Sequence, residues 1–367
     1  MVRLGDYVNI KTGKLDANAS SVNGDYPFFT CSREPLRINT YSYDCECVLV
    51  AGNGDLNVKY YNGKFDAYQR TYIIESADKE KLYVPYLYLF LDNYVEILRE
   101  QSIGGVIKYI KLGNLTEAKI PLPPLDEQKR IADSLDRVST LVTKRKQQLS
   151  KLDELVKSRF VEMFGDPVTN PMGWEQILLK QAAERLSDGP FGSNLKSEHY
   201  TSNGIRVIRL QNIGVGEFID KDKAFISQQY YQKLKKYTCK AGEIVIGTLG
   251  EPNLRACIIP EKVNVAINKA DCVHYIPKKD ILNTIFVCQY INTPAILDFA
   301  SDKIHGQTRM RISSGQVAQI PIYLPPLPLQ NQFAGIVQQV DKSKVQIQQG
   351  LEKLETLRKA RMQEYFE

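Results

Sequence analysis

The chain has 367 residues, 43% hydrophobic and 25% charged, with a formal net charge of +6. That length points to two or three domains rather than one core. No run of about 18 apolar residues occurs, which excludes a helical membrane span, and so modest a charge excludes a protein that grips nucleic acid by bulk electrostatics alone.

The opening Met1-Val2-Arg3-Leu4-Gly5-Asp6 lacks the apolar core of a signal peptide, so a cytoplasmic location is expected. The seven cysteines are an odd number without a C-x-x-C pair, which predicts buried free thiols, with Cys45 and Cys47 on one face of a strand. His199, His274 and His305 stand at no ligand spacing to a cysteine, so no metal site is expected.

Residues 1–118 read as a globule. Short β-branched and aromatic runs at 48–50 and 72–74 alternate with turn residues, as strands do, and 83–99 reads as a helix. Gly52-Asn53-Gly54 is a turn between strands rather than a phosphate cradle. This stretch is nearly neutral: residues 1–125 carry 14 basic and 15 acidic side chains.

Residues 119–165 form a long helix. Pro123-Pro124 set an extended lead-in and Asp126 is placed to cap the first turn. Ile131, Leu135, Val138, Val142, Arg145, Leu149, Leu152, Val156, Arg159 and Met163 then step by 4 and 3, a heptad seam.

A second globule follows at 166–319, with strands at 205–208, 244–246 and 256–259 and a helix over 284–300. It is more basic: residues 165–327 carry 19 basic and 15 acidic side chains. Residues 320–367 form the second long helix, with the seam Phe333, Val337, Val340, Lys344, Ile347, Leu351, Leu354, Arg358, Arg361 and Tyr365. Both helices are on the order of 55–60 Å long.

The chain is one unit written twice. The run from Ile120 to Phe164 aligns without a gap to that from Ile322 to Phe366, at an offset of 202; Leu122-Pro123-Pro124-Leu125 repeats as Leu324-Pro325-Pro326-Leu327, and Gln128 as Gln330. The globules repeat more faintly: Gly54 pairs with Gly250, Asn57 with Asn253 and Lys59 with Arg255. Two exposed apolar seams in one chain invite antiparallel pairing. The expected fold is therefore α+β and pseudo-twofold symmetric, two globular domains alternating with two helices that form an antiparallel coiled coil.

With PLPPLDEQKRI opening the first long helix and SDGPFGSNLKSEHY starting at Ser187, this architecture resembles the specificity subunits of type I restriction-modification enzymes over essentially the whole chain. Two departures stand out. The second helix start lacks a counterpart of Glu127, and the first globule has no G-P-F-G-S run. The resemblance implies two target-recognition domains, each reading half of an asymmetric, interrupted double-stranded DNA site. The helices would set the spacer and dock two modification subunits, which bind S-adenosylmethionine and methylate adenine; two restriction subunits would add ATP- and Mg-dependent translocation and cleavage. This chain would catalyse nothing and hold no cofactor. The residues agree with that, since Walker A, G-x-G-x-x-G and N/D-P-P-Y patterns do not occur. A stand-alone two-headed DNA-binding regulator and a protein scaffold stay open beside it.

Groove reading calls for Arg, Lys, Asn and Gln. In the first globule these are Arg33, Lys59, Gln69, Arg70, Lys108 and Lys111. In the second they are Lys196, Arg206, Arg209, Gln211, Asn212, Arg255, Lys269, Gln307, Arg309 and Arg311. Two readers on one face of B-DNA sit about 34 Å, one turn, apart, which predicts a bipartite site with a short unread spacer.

Overall fold

The structure, a computed structural model, describes residues 1–301 and 311–366. It divides into two compact units: residues 1–147 with 348 onward, and residues 148–347.

Unit one is built on six strands: β1 (Val8–Thr12), β2 (Tyr26–Phe29), β3 (Leu36–Ile38), β4 (Tyr43–Ala51), β5 (Val58–Ala67) and β6 (Thr71–Ser76). They lie in the order β1-β6-β4-β5-β2-β3, antiparallel except for β2 and β5, where Phe28 sits beside Asp66. β4 alternates as a strand covered on both faces must. Val48 and Val50 pack with helix α1 (Val84–Gln101), while Cys47 and Leu49 pack with Phe29 and Phe65 on the other side, where Cys45 also lies.

Besides a two-stranded ribbon of Gln176–Leu178 and Pro321–Tyr323, unit two carries two larger sheets. Their strands are β7 (Ala183–Ser187), β8 (Tyr200–Thr201), β9 (Ile205–Ile208), β10 (Ala224–Ile226), β11 (Thr238–Lys240), β12 (Ile244–Gly247), β13 (Arg255–Ile258), β14 (Val265–Asn268) and β15 (Cys272–Pro277). One sheet is β7-β15-β12-β13 and the other β8-β10-β9-β14-β11. The pair β9 and β14 is parallel, Val207 beside Ile267, as β2 and β5 are in unit one. The seven cysteines are unbridged, and burial raises the thiols of Cys47, Cys239, Cys257 and Cys272.

The helix expected over 284–300 is two helices, Thr284–Ile291 and Pro294–Ser301. Pro294 cannot donate to the turn before it and disfavours a helical residue at 293. The buried Asn292 side chain turns to β13 instead, accepting from the Ala256 N–H and donating to its carbonyl, each at 2.9 Å.

The long helices span Leu125–Phe164 and Leu327–Phe366. In unit one, the start of the first packs on the end of the second, Ile131, Ala132 and Leu135 in one cluster with Met362 and Phe366. Unit two repeats this with the roles exchanged, Val156, Phe160 and Phe164 against Phe333, Val337 and Val340. Each pairing is antiparallel and each carries an ion pair, Lys146 to Glu355 at 3.1 Å and Lys344 to Asp153 at 2.7 Å.

Of the seam positions, Ile131, Leu135, Val156, Phe333, Val337, Val340 and Leu351 are buried, and Val138, Val142, Leu149, Leu152, Ile347 and Leu354 are half-buried. The strict heptad fails at both helix ends. Arg159 and Arg361 are exposed, and the buried stripe steps by four through Val156, Phe160 and Phe164 and through Met362 and Phe366. A helix of 3.6 residues per turn drifts off a 3.5-residue seam. At these ends it also covers the globule, Phe160 stacking on Phe286 at 5.7 Å and Phe366 meeting Tyr86 at 5.2 Å.

No helix among the described residues is long and apolar enough to cross a membrane. No metal-binding cluster of His, Cys, Asp or Glu occurs among them.

Candidate nucleic-acid interface

In unit one, four stretches of sequence are tied together where β4 turns into β5. The Gly52 N–H donates to the Arg70 carbonyl at 2.8 Å, the Gly54 N–H to the Lys108 carbonyl at 2.9 Å, and Asn57 Nδ2 to the Cys31 carbonyl at 2.8 Å. Gly54 takes a φ of +70°, where a side chain would be strained, and Gly250 repeats this with +108°.

That corner gathers Arg33, Lys59, Arg70 and Lys108. Arg33 Nε donates to Asp55 at 2.8 Å, and this bond holds the Asp55 carboxyl below its ordinary range. Lys59 is half-buried against Asn57, and burial lowers its ammonium pKa. Arg70 and Lys108 are exposed. Gln69 donates to Asp16 at 3.0 Å, and the exposed Lys111 precedes the short helix Leu112–Thr116.

Unit two builds a comparable corner around a carboxylate pair. Asp188 Oδ1 accepts from the N–H of Gly189 at 2.9 Å and of Asp271 at 3.2 Å. Burial raises the Asp188 carboxyl, and the neighbouring Asp271 adds to this while Arg311 opposes it. The Arg311 guanidinium lies 2.8 Å from Asp271 and 4.0 Å from Asp188, with the Phe191 ring 5.5 Å away. Asp271 sits at φ +65°, a conformation non-glycine residues adopt at a cost. Gly189 passes so close to the backbone of Lys269 that a Cβ would fall 2.3 Å from its carbonyl carbon, so only glycine fits. Lys269 and Arg209 flank the Tyr200 ring at 5.6 and 5.5 Å, and Arg209 is paired with Asp222. Gln211 is exposed on the turn Leu210–Asn212; Lys196 is exposed beside Glu198.

Three of the expected groove readers are committed to the fold instead. Arg206 is 6% exposed and donates to Asp220 at 2.9 Å and to the Asp222 carbonyl at 2.7 Å. Asn212 is fully buried and donates to the carbonyls of Ile219 and Asp222. Arg255 clasps the carbonyls of Leu210, Ile213, Leu249 and Pro252 at 2.6–3.0 Å, and burial lowers its pKa. Backbone carbonyls take the Arg255 donors, and burial withholds Arg206 and Asn212 from a base. Gln307 and Arg309 lie outside the described residues.

Sequence reasoning missed Asp188 and Asp271, which aim Arg311, and the rings of Phe191 and Tyr200. The Gly-Pro-Phe-Gly run was the available signal for Phe191; no sequence signal marks an aspartate that orients an arginine across the fold.

Unit two also holds a groove of about 990 Å³, whose lining includes Val156, Phe160, Asp153, Glu217, Asn292 and Asp341. At the matching place in unit one, Arg358 lies 3.0 Å from Asp92. The repeat puts Val156 where Arg358 stands, so the groove has an apolar side chain at that position, with Lys157 and Lys344 elsewhere in its lining.

Residues 1–152 and 175–356 match a family model described as "Type I restriction modification DNA specificity domain". The chain is 28% identical over 381 aligned positions to the EcoDI specificity subunit of a type I restriction enzyme from Escherichia coli, covering 92% of this chain and 80% of that one. It is 24% identical to the MjaVIII specificity subunit from Methanocaldococcus jannaschii, covering 97% and 91%. Among solved structures, the S subunit of a type I restriction-modification system from M. genitalium superposes with a TM-score of 0.65 at 17% identity, covering 100% of this chain and 95% of that one. A second, from a study of complex assembly and conformational transition of the type I R-M system, gives 0.55 at 17%, covering 100% and 96%. These two likenesses speak to the fold.

Proposed function

This chain belongs to the type I restriction-modification DNA specificity family, as a DNA-recognition subunit, and from that premise we propose that each of its two units reads one half of a bipartite, asymmetric site on double-stranded DNA. One observation carries the reading. A corner of glycine-turned loops is built twice, and it is furnished with different side chains each time: Arg33 on Asp55 in one unit, Arg311 on Asp271 with Phe191 in the other. Equivalent frames with unequal side chains suit a site whose two halves differ in sequence. Exposed Arg70, Lys108 and Lys196 and the half-buried Lys269 supply charge to phosphates, while an aspartate-aimed guanidinium suits the paired acceptors of guanine.

The long helices set the spacer between the halves and dock two modification subunits, with the unit-two groove as one docking surface; two restriction subunits join that assembly. S-adenosylmethionine, ATP and Mg belong to those partners. This chain makes and breaks no bond, and acts in the cytoplasm.

A domain swap tests this reading. Residues 166–319 are replaced by the matching region of a relative, and methylated sites are mapped by long-read sequencing. One half of the motif changes while the other half and the spacer stay. If both halves change, or no methylation depends on this chain, the reading is wrong. The second outcome is what a stand-alone regulator would give.

A further inference from the structure

We propose that Val106 and Ile107, at the tip of a hairpin in unit one, read the methyl group of a thymine in the major groove. The inference rests on the DNA-recognition reading above and adds an apolar contact that neither charge nor hydrogen bonding supplies.

The hairpin is closed by two hydrogen bonds, Ile103 N–H to the Tyr109 carbonyl at 3.0 Å and Tyr109 N–H to the Ile103 carbonyl at 2.8 Å. Gly104, at φ +117°, brings the chain round so tightly that a Cβ there would lie 2.5 Å from the Ile107 carbonyl oxygen. The Gly54 bond to Lys108 and an Ile110 N–H bond to the Gly52 carbonyl at 2.9 Å fasten this hairpin to the β4–β5 turn. It therefore projects from the corner that holds Arg33, Arg70 and Lys108.

Its tip is the wrong chemistry for a solvated loop. Val106 is fully exposed and Ile107 is 62% exposed, two adjacent β-branched side chains with a lysine directly after them. β-branched side chains are stiff, so ordering them on a surface costs little entropy. An apolar tip with Lys108 beside it and Arg70 on the turn that anchors it matches a duplex groove, where phosphates flank the bases. The apolar group presented on a base edge there is the thymine methyl, and the major groove admits a two-stranded ribbon. A wedge driven between stacked bases needs backing from packed neighbours. A fully exposed Val106 has none.

The test uses the full chain assembled with its modification subunits and duplexes carrying the mapped motif. Each thymine of the half-site read by unit one is replaced in turn by deoxyuridine, which removes only the methyl. At one position the wild type loses about fourfold in Kd, the worth of one buried methyl. The variant V106S/I107S loses a similar factor on thymine DNA and nothing further on deoxyuridine DNA. Indifference of the wild type at every thymine overturns the proposal, whatever becomes of the variant. So does a variant that keeps the deoxyuridine penalty, or 2-aminopurine that brightens beside the site with wild type alone, the mark of a wedge. If no motif depends on the chain, the recognition reading falls; a motif that ignores every methyl sinks only the tip.

Discussion

Gln128 reaches from the first long helix to Lys81, donating from Nε2 to its carbonyl at 2.8 Å; the same side chain donates to the Pro123 carbonyl and accepts from the Tyr83 N–H. Gln330 does the same in unit two, with Ile281, Pro325 and the Asn283 N–H. Both side chains are fully buried. Each sews the start of a long helix to the segment that opens the helix on its globule.

Truncating either glutamine strands one buried N–H and two carbonyls. Gln128→Ala and Gln330→Ala should each destabilise the chain by about 2–3 kcal/mol. Urea titration followed by circular dichroism measures this as a lower midpoint. Gln→Glu should not rescue, because the carboxylate cannot donate to two carbonyls.

Arg206 and Arg70 make a matched pair of tests. Arg206→Ala breaks a buried pair with Asp220 and should cost about 3 kcal/mol of stability. Arg70 is exposed, so Arg70→Ala should leave the melting curve in place and weaken DNA binding, with a shallower salt dependence. Equal thermal effects from both would contradict the assignment of Arg206 to the fold.

Arg311→Ala should relax one base position in one half of the methylation motif and leave the other half unchanged. Asp271→Asn, which weakens the partner 2.8 Å away, should show a milder form of the same change. Long-read methylation maps of both variants decide this.

The buried His274 lies 2.8 Å from Glu243, and burial lowers its pKa although Glu243 and their hydrogen bond pull the other way. The unfolded chain therefore binds its proton more readily than the folded one. Stability is fully present above the unfolded pKa, about 6.5, and is lost as pH falls from there through the lower folded value. His274→Gln keeps a donor toward Glu243 and cannot titrate. The wild-type melting temperature should drop relative to this variant as pH falls below about 6.5, and a constant difference would refute the assignment.

A heptad inserted into the first long helix should lengthen the spacer of the recognised site and leave both half-site sequences alone. Unchanged spacing in the methylation map would show that helix length does not set it.

Much of the architecture was legible along the chain because periodicity survives in one dimension. The repeat from Ile120 and Ile322, the proline-led helix starts and the apolar steps along both seams carry their own geometry. Where a helix changes neighbours, the reading failed. At Phe160 and Phe164 the surface to be covered is the globule, and the stripe rotates to meet it. At Asn292 a side chain bonds to β13, a strand about 36 residues away in sequence, and the helix stops.

The sequence by itself determined the duplication, the pairing of two amphipathic helices and the kinds of residue available to touch DNA. All three follow from spacing and chemical type. Only the tertiary structure decided which of those residues are free to do so. Arg206, Asn212 and Arg255 read like Lys196, Gln211 and Arg70 in one dimension. Burial and the nearest acceptors separate them, and both are set by segments far away in sequence: Asp220 for Arg206, the carbonyl of Leu210 for Arg255, Asp271 for the aim of Arg311. A hydrogen-bond donor satisfied by the fold is lost to the ligand, and that account closes only in three dimensions.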